Sequence, residues 1–340
     1  MGTSKQQWRD EAVSEVAARW LEDREVPAPV LVVDDVPGQV EALCADRGLE
    51  WARWRRFRRH GVEPAAWPPE GRVASAVVRL PKGREALEMT LHAVGSRLRP
   101  DGIVWLVGAN DEGIKPALDR ADAVFARGEA VDARRHCRVL ELREPRPGLR
   151  GALEDWATPH SAELPDGPLE WVSFPGLFAH GRLDEGTREL LGVLPELPAG
   201  ARVLDFACGA GLVAAVLLRR NPGAIVDLLD VDALALEAAR RNVSGAARIV
   251  ASDAWEALDP AERYDVVVSN PPLHTGKGSD ERVLRQLVEE APARLRPGGA
   301  LLLVTQRQVP LREPLEERFS RVEIVRDARG YRVWSAARPR

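Results

Sequence analysis

Tyr264-Asp265-Val266-Val267-Val268-Ser269-Asn270-Pro271-Pro272 decides how this chain is read. Three valines in a row behind an aromatic residue are the pattern of a buried strand. Two consecutive prolines cannot extend it, because each lacks an N–H and has its φ fixed. The chain therefore leaves a sheet abruptly, with the Asn270 amide at the carboxyl edge. The carbonyls of Asn270 and Pro271 are unused by any ladder. Such an edge admits two readings. It is a rigid strand-to-loop turn that happens to carry an Asn, or its amide oxygen and free carbonyl form a cage for an exocyclic NH2 group.

The preceding strands separate the two. Val203-Leu204-Asp205-Phe206 runs into Ala207-Cys208-Gly209-Ala210-Gly211, and Leu212 to Arg219 then reads as a helix. A Gly-x-Gly turn lets a ligand approach the backbone at a helix N-terminus. Ile225-Val226-Asp227-Leu228-Leu229 ends at Asp230, and Arg248-Ile249-Val250-Ala251-Ser252 ends at Asp253. Four successive strands thus place Asp205, Asp230, Asp253 and Asn270 at their carboxyl ends, the edge where open parallel sheets bind ligands. That register favours the cage. Gly209-x-Gly211-x-x-Ala214 with Asp230 loosely fits a dinucleotide fingerprint. A pyrophosphate would crowd Asp205, however, and Asn-Pro-Pro has no part in hydride transfer. A cationic, adenosine-bearing cofactor fits better, with Asp205 towards an ammonium, Asp230 towards ribose and Asp253 towards the adenine amine. That cofactor is S-adenosyl-L-methionine. No cluster of residues with metal-ligand spacing occurs, so no metal is expected.

The 340 residues suggest two domains. Strands at Val30–Asp35, Leu49–Phe57, Val73–Leu80 and Ile103–Val107 alternate with helices at Gly38–Asp46 and Glu85–Leu98, as in parallel βαβ units. Leu98-Arg99-Pro100-Asp101-Gly102-Ile103-Val104 repeats as Leu295-Arg296-Pro297-Gly298-Gly299-Ala300-Leu301, and Arg138-Val139-Leu140 echoes Arg332-Val333-Trp334. A repeat of this kind implies a duplicated fold. The first copy carries Val36-Pro37-Gly38 where the glycine turn belongs and has no Asn-Pro-Pro, so it is expected to bind no nucleotide-like cofactor. The expected domains are 1–145 (degenerate copy), 146–170 (a proline-rich linker) and 171–340 (catalytic), with a helix over Thr187–Leu197. Arg53, Arg55, Arg56 and Arg58, interleaved with Trp51, Trp54 and Phe57, are either a grip for RNA or a solvated edge strand.

Composition is that of an ordinary globular protein, 45% hydrophobic and 29% charged, with a formal charge of −4. That excludes a generally basic nucleic-acid binder and leaves room for a local patch. No signal peptide is read in Met1–Glu25, and no apolar run approaches the ~20 residues of a membrane span. Cys44, Cys137 and Cys208 are odd in number and far apart, which points to reduced thiols and a cytoplasmic protein.

Asp205-Phe-Ala-Cys-Gly209-Ala-Gly211 with Asn270-Pro271-Pro272 resembles a class I methyltransferase acting on a conjugated amine. Ser269 to Gly276, Phe174-Pro175-Gly176-Leu-Phe178, Asp184-Glu-Gly186-Thr187 and the duplicated first half narrow the resemblance. They are similar to the bacterial ribosomal RNA guanine-N2 methyltransferase family, small-subunit (C-type) or large-subunit (G-type). The resemblance implies two tandem Rossmann-like α/β domains, the second with a seven-stranded, mostly parallel sheet. It implies methyl transfer from S-adenosyl-L-methionine to N2 of a guanine, most simply in 16S ribosomal RNA. The candidate catalytic residues are Asn270, Pro271 and Pro272. The candidate cofactor residues are Asp205, Cys208, Gly209, Gly211, Asp230, Asp253 and Ala254. Leu273 and His274 are candidate substrate contacts, with His274 also a candidate base. Leu273 stands where the family carries an aromatic residue, so Phe174, Phe178 or Trp255 is expected to stack on the base instead. Ribosomal RNA or the small subunit is the expected partner, and a two-domain monomer the expected state. The rivals are large-subunit RNA methylation, methylation of a protein glutamine amide, and a non-catalytic RNA-binding assembly factor.

Overall fold

A computed structural model describes residues 5–59, 61–245, 247–272 and 278–339. The chain divides into two compact units, Met1–Ala157 and Thr158–Arg340.

The first unit runs α1 (Lys5–Glu22), β1 (Val30–Val33), α2 (Gln39–Asp46), β2 (Trp51–Trp54), β3 (Val73–Arg79), α3 (Arg84–Arg97), β4 (Leu98–Ala109), α4 (Ile114–Ala121), β5 (Phe125–Arg134) and β6 (Cys137–Pro145). Its six strands lie in the order β2-β1-β3-β4-β6-β5. All four residues of β1 and the first six of β3 are buried, as strands covered on both faces must be. Val13, Val16 and Leu21 of α1 pack on one face with Val40 and Cys44. Leu87, Leu91 and Val94 of α3 pack on the other, with Ile114 and Ala117. Helix α1 was not foreseen, because its apolar positions are mostly small residues amid charge.

The second unit adds β7 (Thr158–Leu164), β8 (Gly167–Ser173), α5 (Glu185–Leu191), β9 (Arg202–Phe206), α6 (Leu212–Arg220), β10 (Ile225–Asp230), α7 (Ala233–Asn242), β11 (Arg248–Ala251), β12 (Tyr264–Ser269), α8 (Gly278–Arg294), β13 (Leu295–Gln306), α9 (Arg312–Arg318), β14 (Phe319–Ala328) and β15 (Tyr331–Pro339). Its seven strands follow the order β11-β10-β9-β12-β13-β15-β14, and only β15 opposes the rest. This is the expected seven-stranded, mostly parallel sheet. Alternation along β9 sends Val203 into the layer with α6 and Leu204 into the layer with α8. At the amino edge, Asp227 is 1% exposed and accepts hydrogen bonds from Arg202, Arg248 and Tyr264.

Without β11, the second sheet has the same strand order and directions as the first. Two expectations need correction. The span 146–170 is not a bare linker: it holds a 3₁₀ turn at Leu153–Trp156, and β7 and β8 pair as an antiparallel hairpin. Prolines 159, 165 and 168 sit on a two-stranded ribbon or its turn, where a missing N–H costs no central ladder bond. The hairpin belongs to the second unit. The Asn242 side chain exchanges two hydrogen bonds with the Val172 backbone, at 2.7 and 2.8 Å. Helix α5 begins at Glu185 and stops at Leu191, with Gly192 as its C-cap, instead of running over Thr187–Leu197.

Candidate active site

Asp205 ends on the buried side of β9, 1% exposed, and its Oδ2 accepts from the Ala214 N–H of α6 at 3.1 Å. The turn beyond it is held by backbone shape. Ala207, Gly209 and Gly211 have φ of 57°, 54° and 80°. A Cβ on Gly211 would lie 2.7 Å from Val243 Cγ2, so only glycine lets α7 pack there. A Cβ on Gly209 would meet nothing within 4 Å. The Gly209 N–H donates to Asp230 Oδ2 at 2.8 Å, so the second strand end holds the turn of the first. Asp232 N–H donates to Asp230 Oδ1, and Asp232 in turn caps α7.

Burial pushes the Asp205 carboxyl up to about 8 and the Asp230 carboxyl up to about 6, since desolvation disfavours their charged forms. Among the described residues neither has a cationic partner. A buried acid and a half-buried one beside an open glycine fit a ligand that carries its own positive charge and hydroxyls. Cys208, also buried, has its thiol pushed well above the usual range and contributes backbone and bulk.

Asp253 follows β11 and pairs with Arg282 of α8 at 2.6 Å, while Arg282 also donates to Gln286. Ala254 is buried with φ 50°, and Trp255 packs against Phe206 with ring centroids 4.8 Å apart.

Asn270 leaves β12 beside these groups. Ser269 Oγ donates to Phe206 O at 2.7 Å and ties β12 to β9 at this edge. The Asn270 Nδ2 donates to Asp184 Oδ2 at 3.1 Å and to Thr187 Oγ1 at 2.9 Å. Pro271 is buried and Pro272 exposed. Leu273 and His274 lie outside the described residues. Of the stacking candidates, Phe174 is fully buried beneath the Arg241 guanidinium and Trp255 is 3% exposed, whereas Phe178 is 61% exposed. Phe174 and Trp255 are core residues, and only Phe178 has a free ring face.

Three arginines of the first unit's cluster pair with acids of their own unit. Arg55 is 5% exposed, donates to Asp35 O at 2.7 Å and pairs with Glu41, as Arg53 also does. Arg58 pairs with Glu63, and Arg56 lies over the Phe57 ring. Glu41 on α2, unremarkable in sequence, holds the Arg53 and Arg55 charges. What sequence reasoning missed in the second unit is the role of α5: Asp184 reads as a helix cap, and nothing local shows that it reaches a residue 86 positions away.

A sheet of this winding, with a buried acid ahead of a glycine turn and an amide at the fourth strand end, is a class I S-adenosyl-L-methionine-dependent methyltransferase. Residues 168–335 match the methyltransferase small domain, and residues 31–160 match the methyltransferase small domain N-terminal family. The ribosomal RNA small subunit methyltransferase C of Pseudomonas aeruginosa is 37% identical over 79% of this chain and 81% of its own. That of Pseudomonas putida is 35% identical over 90% and 92%. The T. thermophilus 16S rRNA N2 G1207 methyltransferase, solved with AdoMet and guanosine, superposes with a TM-score of 0.82 at 25% identity, covering 96% of this chain and 92% of that one. The chain belongs to the methyltransferase small domain family, among the ribosomal RNA small subunit methyltransferase C proteins.

Proposed function

We propose that this protein transfers a methyl group from S-adenosyl-L-methionine to the exocyclic N2 of a guanine in 16S ribosomal RNA. The observation that carries the reading is the Asn270 amide. Its nitrogen is engaged by Asp184 and Thr187, which among the described residues leaves its oxygen as the acceptor. When bound, the cofactor supplies an electrophilic methyl on a sulfonium. Asp205 would face its ammonium, Asp230 its ribose hydroxyls, Gly209 and Gly211 its close approach to the backbone, and Ala254 and Asp253 its adenine.

The guanine N2 lone pair is delocalised into the ring and is a poor nucleophile. Asn270 Oδ1 and the Pro271 carbonyl would accept hydrogen bonds from the two N–H groups and orient the lone pair for an in-line displacement, in which N–C forms as C–S breaks, a neutral thioether leaves and one N2 proton passes to water. Positioning supplies most of the acceleration. A base must leave its stack to reach this edge, and the exposed ring of Phe178 is the stacking surface proposed for it. Ribosomal RNA is the partner in this reading, the chain acts as a monomer, and the compartment is the cytoplasm.

Transfer of labelled methyl to unmodified small subunits or their RNA, followed by mass analysis of nucleosides, tests this directly. N2-methylguanosine in 16S RNA is the expected product. Label in 23S RNA, or in a protein glutamine, would move the substrate to one of those classes. Cofactor binding without transfer to any of them would leave an assembly factor.

A further inference from the structure

We propose that Asp184 and Thr187 are positioning residues that hold the Asn270 amide in one of its two flip states, the one that turns Oδ1 towards the substrate amine. The inference rests on the amine-cage reading above and adds the device that makes it work. A primary amide presents nearly the same shape after a 180° rotation, yet the flipped form would offer NH2 to an NH2 and repel the substrate. Something must choose between the two. Asp184 Oδ2 lies 3.1 Å from the Asn270 amide, and an ionised carboxylate only accepts. The atom facing it is therefore nitrogen. Thr187 Oγ1 takes the second N–H at 2.9 Å. Both hydrogens are then engaged, and Oδ1 is the atom left for the ligand.

The clamp stands on a fixed base. Asp184 is the N-cap of α5 and accepts from Thr187 N–H at 2.9 Å. Gly186 packs so closely on Tyr331 that a Cβ there would come within 2.9 Å of the ring. Arg326 pairs with the 3% exposed Glu189 at 2.6 Å, and Arg329 pairs with Glu185 at 2.8 Å, so α5 is tied to β14 and to the turn after it. The first turn of α5 cannot drift relative to the end of β12 without breaking these contacts.

Thr187→Val keeps the size of the side chain and the capped N–H while removing the acceptor. It is expected to lower kcat for RNA methylation about five- to tenfold, with an unchanged Kd for S-adenosyl-L-methionine and an unchanged Tm, and Thr187→Ser should restore the rate. Asp184→Ser keeps a capping oxygen but not its reach or charge, and should lower kcat about ten- to a hundredfold. In an Asn270→Ala background, neither change should reduce the residual rate further, because the group they orient is gone. Wild-type kcat in Thr187→Val, or losses that add fully to that of Asn270→Ala, would overturn the proposal. An Asn270→Ala variant with full activity would instead overturn the cage itself, which keeps the two failures distinct.

Discussion

The two units wind the same strands in the same order and differ at the edge where a ligand would sit. Val33 and Phe206 end the equivalent strands, and five residues later Gly38 and Gly211 open the next helix with φ of 79° and 80°. The pairing Val33↔Val78 matches Phe206↔Ser269, so Arg79 stands where Asn270 does. Val32 stands in place of Asp205, and Val36 in place of Gly209. In the first unit, Arg79 pairs with Glu112 at 2.7 Å and with Asp10 of α1 at 3.2 Å. Ser14 of α1 donates to the buried Asp35, and Arg55 fills the outer side of the turn. What remains is a hollow of about 20 Å³, room for about one water. In the second unit, among the described residues, Asp205 and Asp230 have no cationic partner and Gly209 has no neighbour where a Cβ would lie, although Asp253 pairs with Arg282. A binding edge was closed not by losing the fold but by supplying, from the chain's own side chains, the charges a ligand would bring.

That contrast can be broken in order of effect. Asn270→Ala should lower kcat by about 10²–10³, the loss typical for one preorganised polar group, while the Kd for S-adenosyl-L-methionine stays within about twofold. A steady-state methylation assay beside calorimetric binding checks both. Arg79→Ala removes the guanidinium that Glu112 and Asp10 share and should cost about 3 kcal/mol in urea unfolding, with cofactor affinity untouched. A weakened Kd would mean that the closed edge still serves the open one.

The pH dependence probes the open edge of the second unit. Asp205 is protonated in the folded apo protein up to about pH 8, whereas an unfolded chain releases that proton near pH 4. Between these values the native state holds the extra proton, so apo stability falls as pH rises through the window. A cationic ligand favours the ionised form, so affinity for S-adenosyl-L-methionine should rise from pH 6 to pH 8, by up to about tenfold per unit. In Asp205→Asn both slopes should flatten, as read by thermal melts and titration across that range. Arg55→Met should lower stability by about 2 kcal/mol and leave RNA affinity unchanged. Weaker RNA binding at unchanged stability would return the cluster to an RNA grip. Smallest of all, Gly38→Ala should cost about 1 kcal/mol, from φ alone. Gly211→Ala adds the Val243 overlap and should cost more, and equal losses by denaturation would show that α7 yields.

Much of this was legible in linear order because strand and turn chemistry is local. Short valine-rich runs bounded by turn residues read as buried strands, Gly-x-Gly and Asn-Pro-Pro mark where they end, and the repeat of Leu-Arg-Pro-x-Gly exposes the duplication. Four polar strand ends share an edge by virtue of parallel winding, so Asp205, Asp230, Asp253 and Asn270 could be grouped before any coordinates. The hairpin at 158–173 was hidden because its prolines lie on a two-stranded ribbon, where they do no harm. The fate of charge was not legible either. Whether Arg55 meets RNA or Glu41, whether Arg282 covers Asp253, and which way Asn270 turns its oxygen all depend on partners 14, 29 and 86 residues away. Pattern along a chain specifies which residues leave the water, since burial follows periodicity. Only the packed structure decides what a buried or half-buried polar group finds there, because its partner is chosen by distance in space.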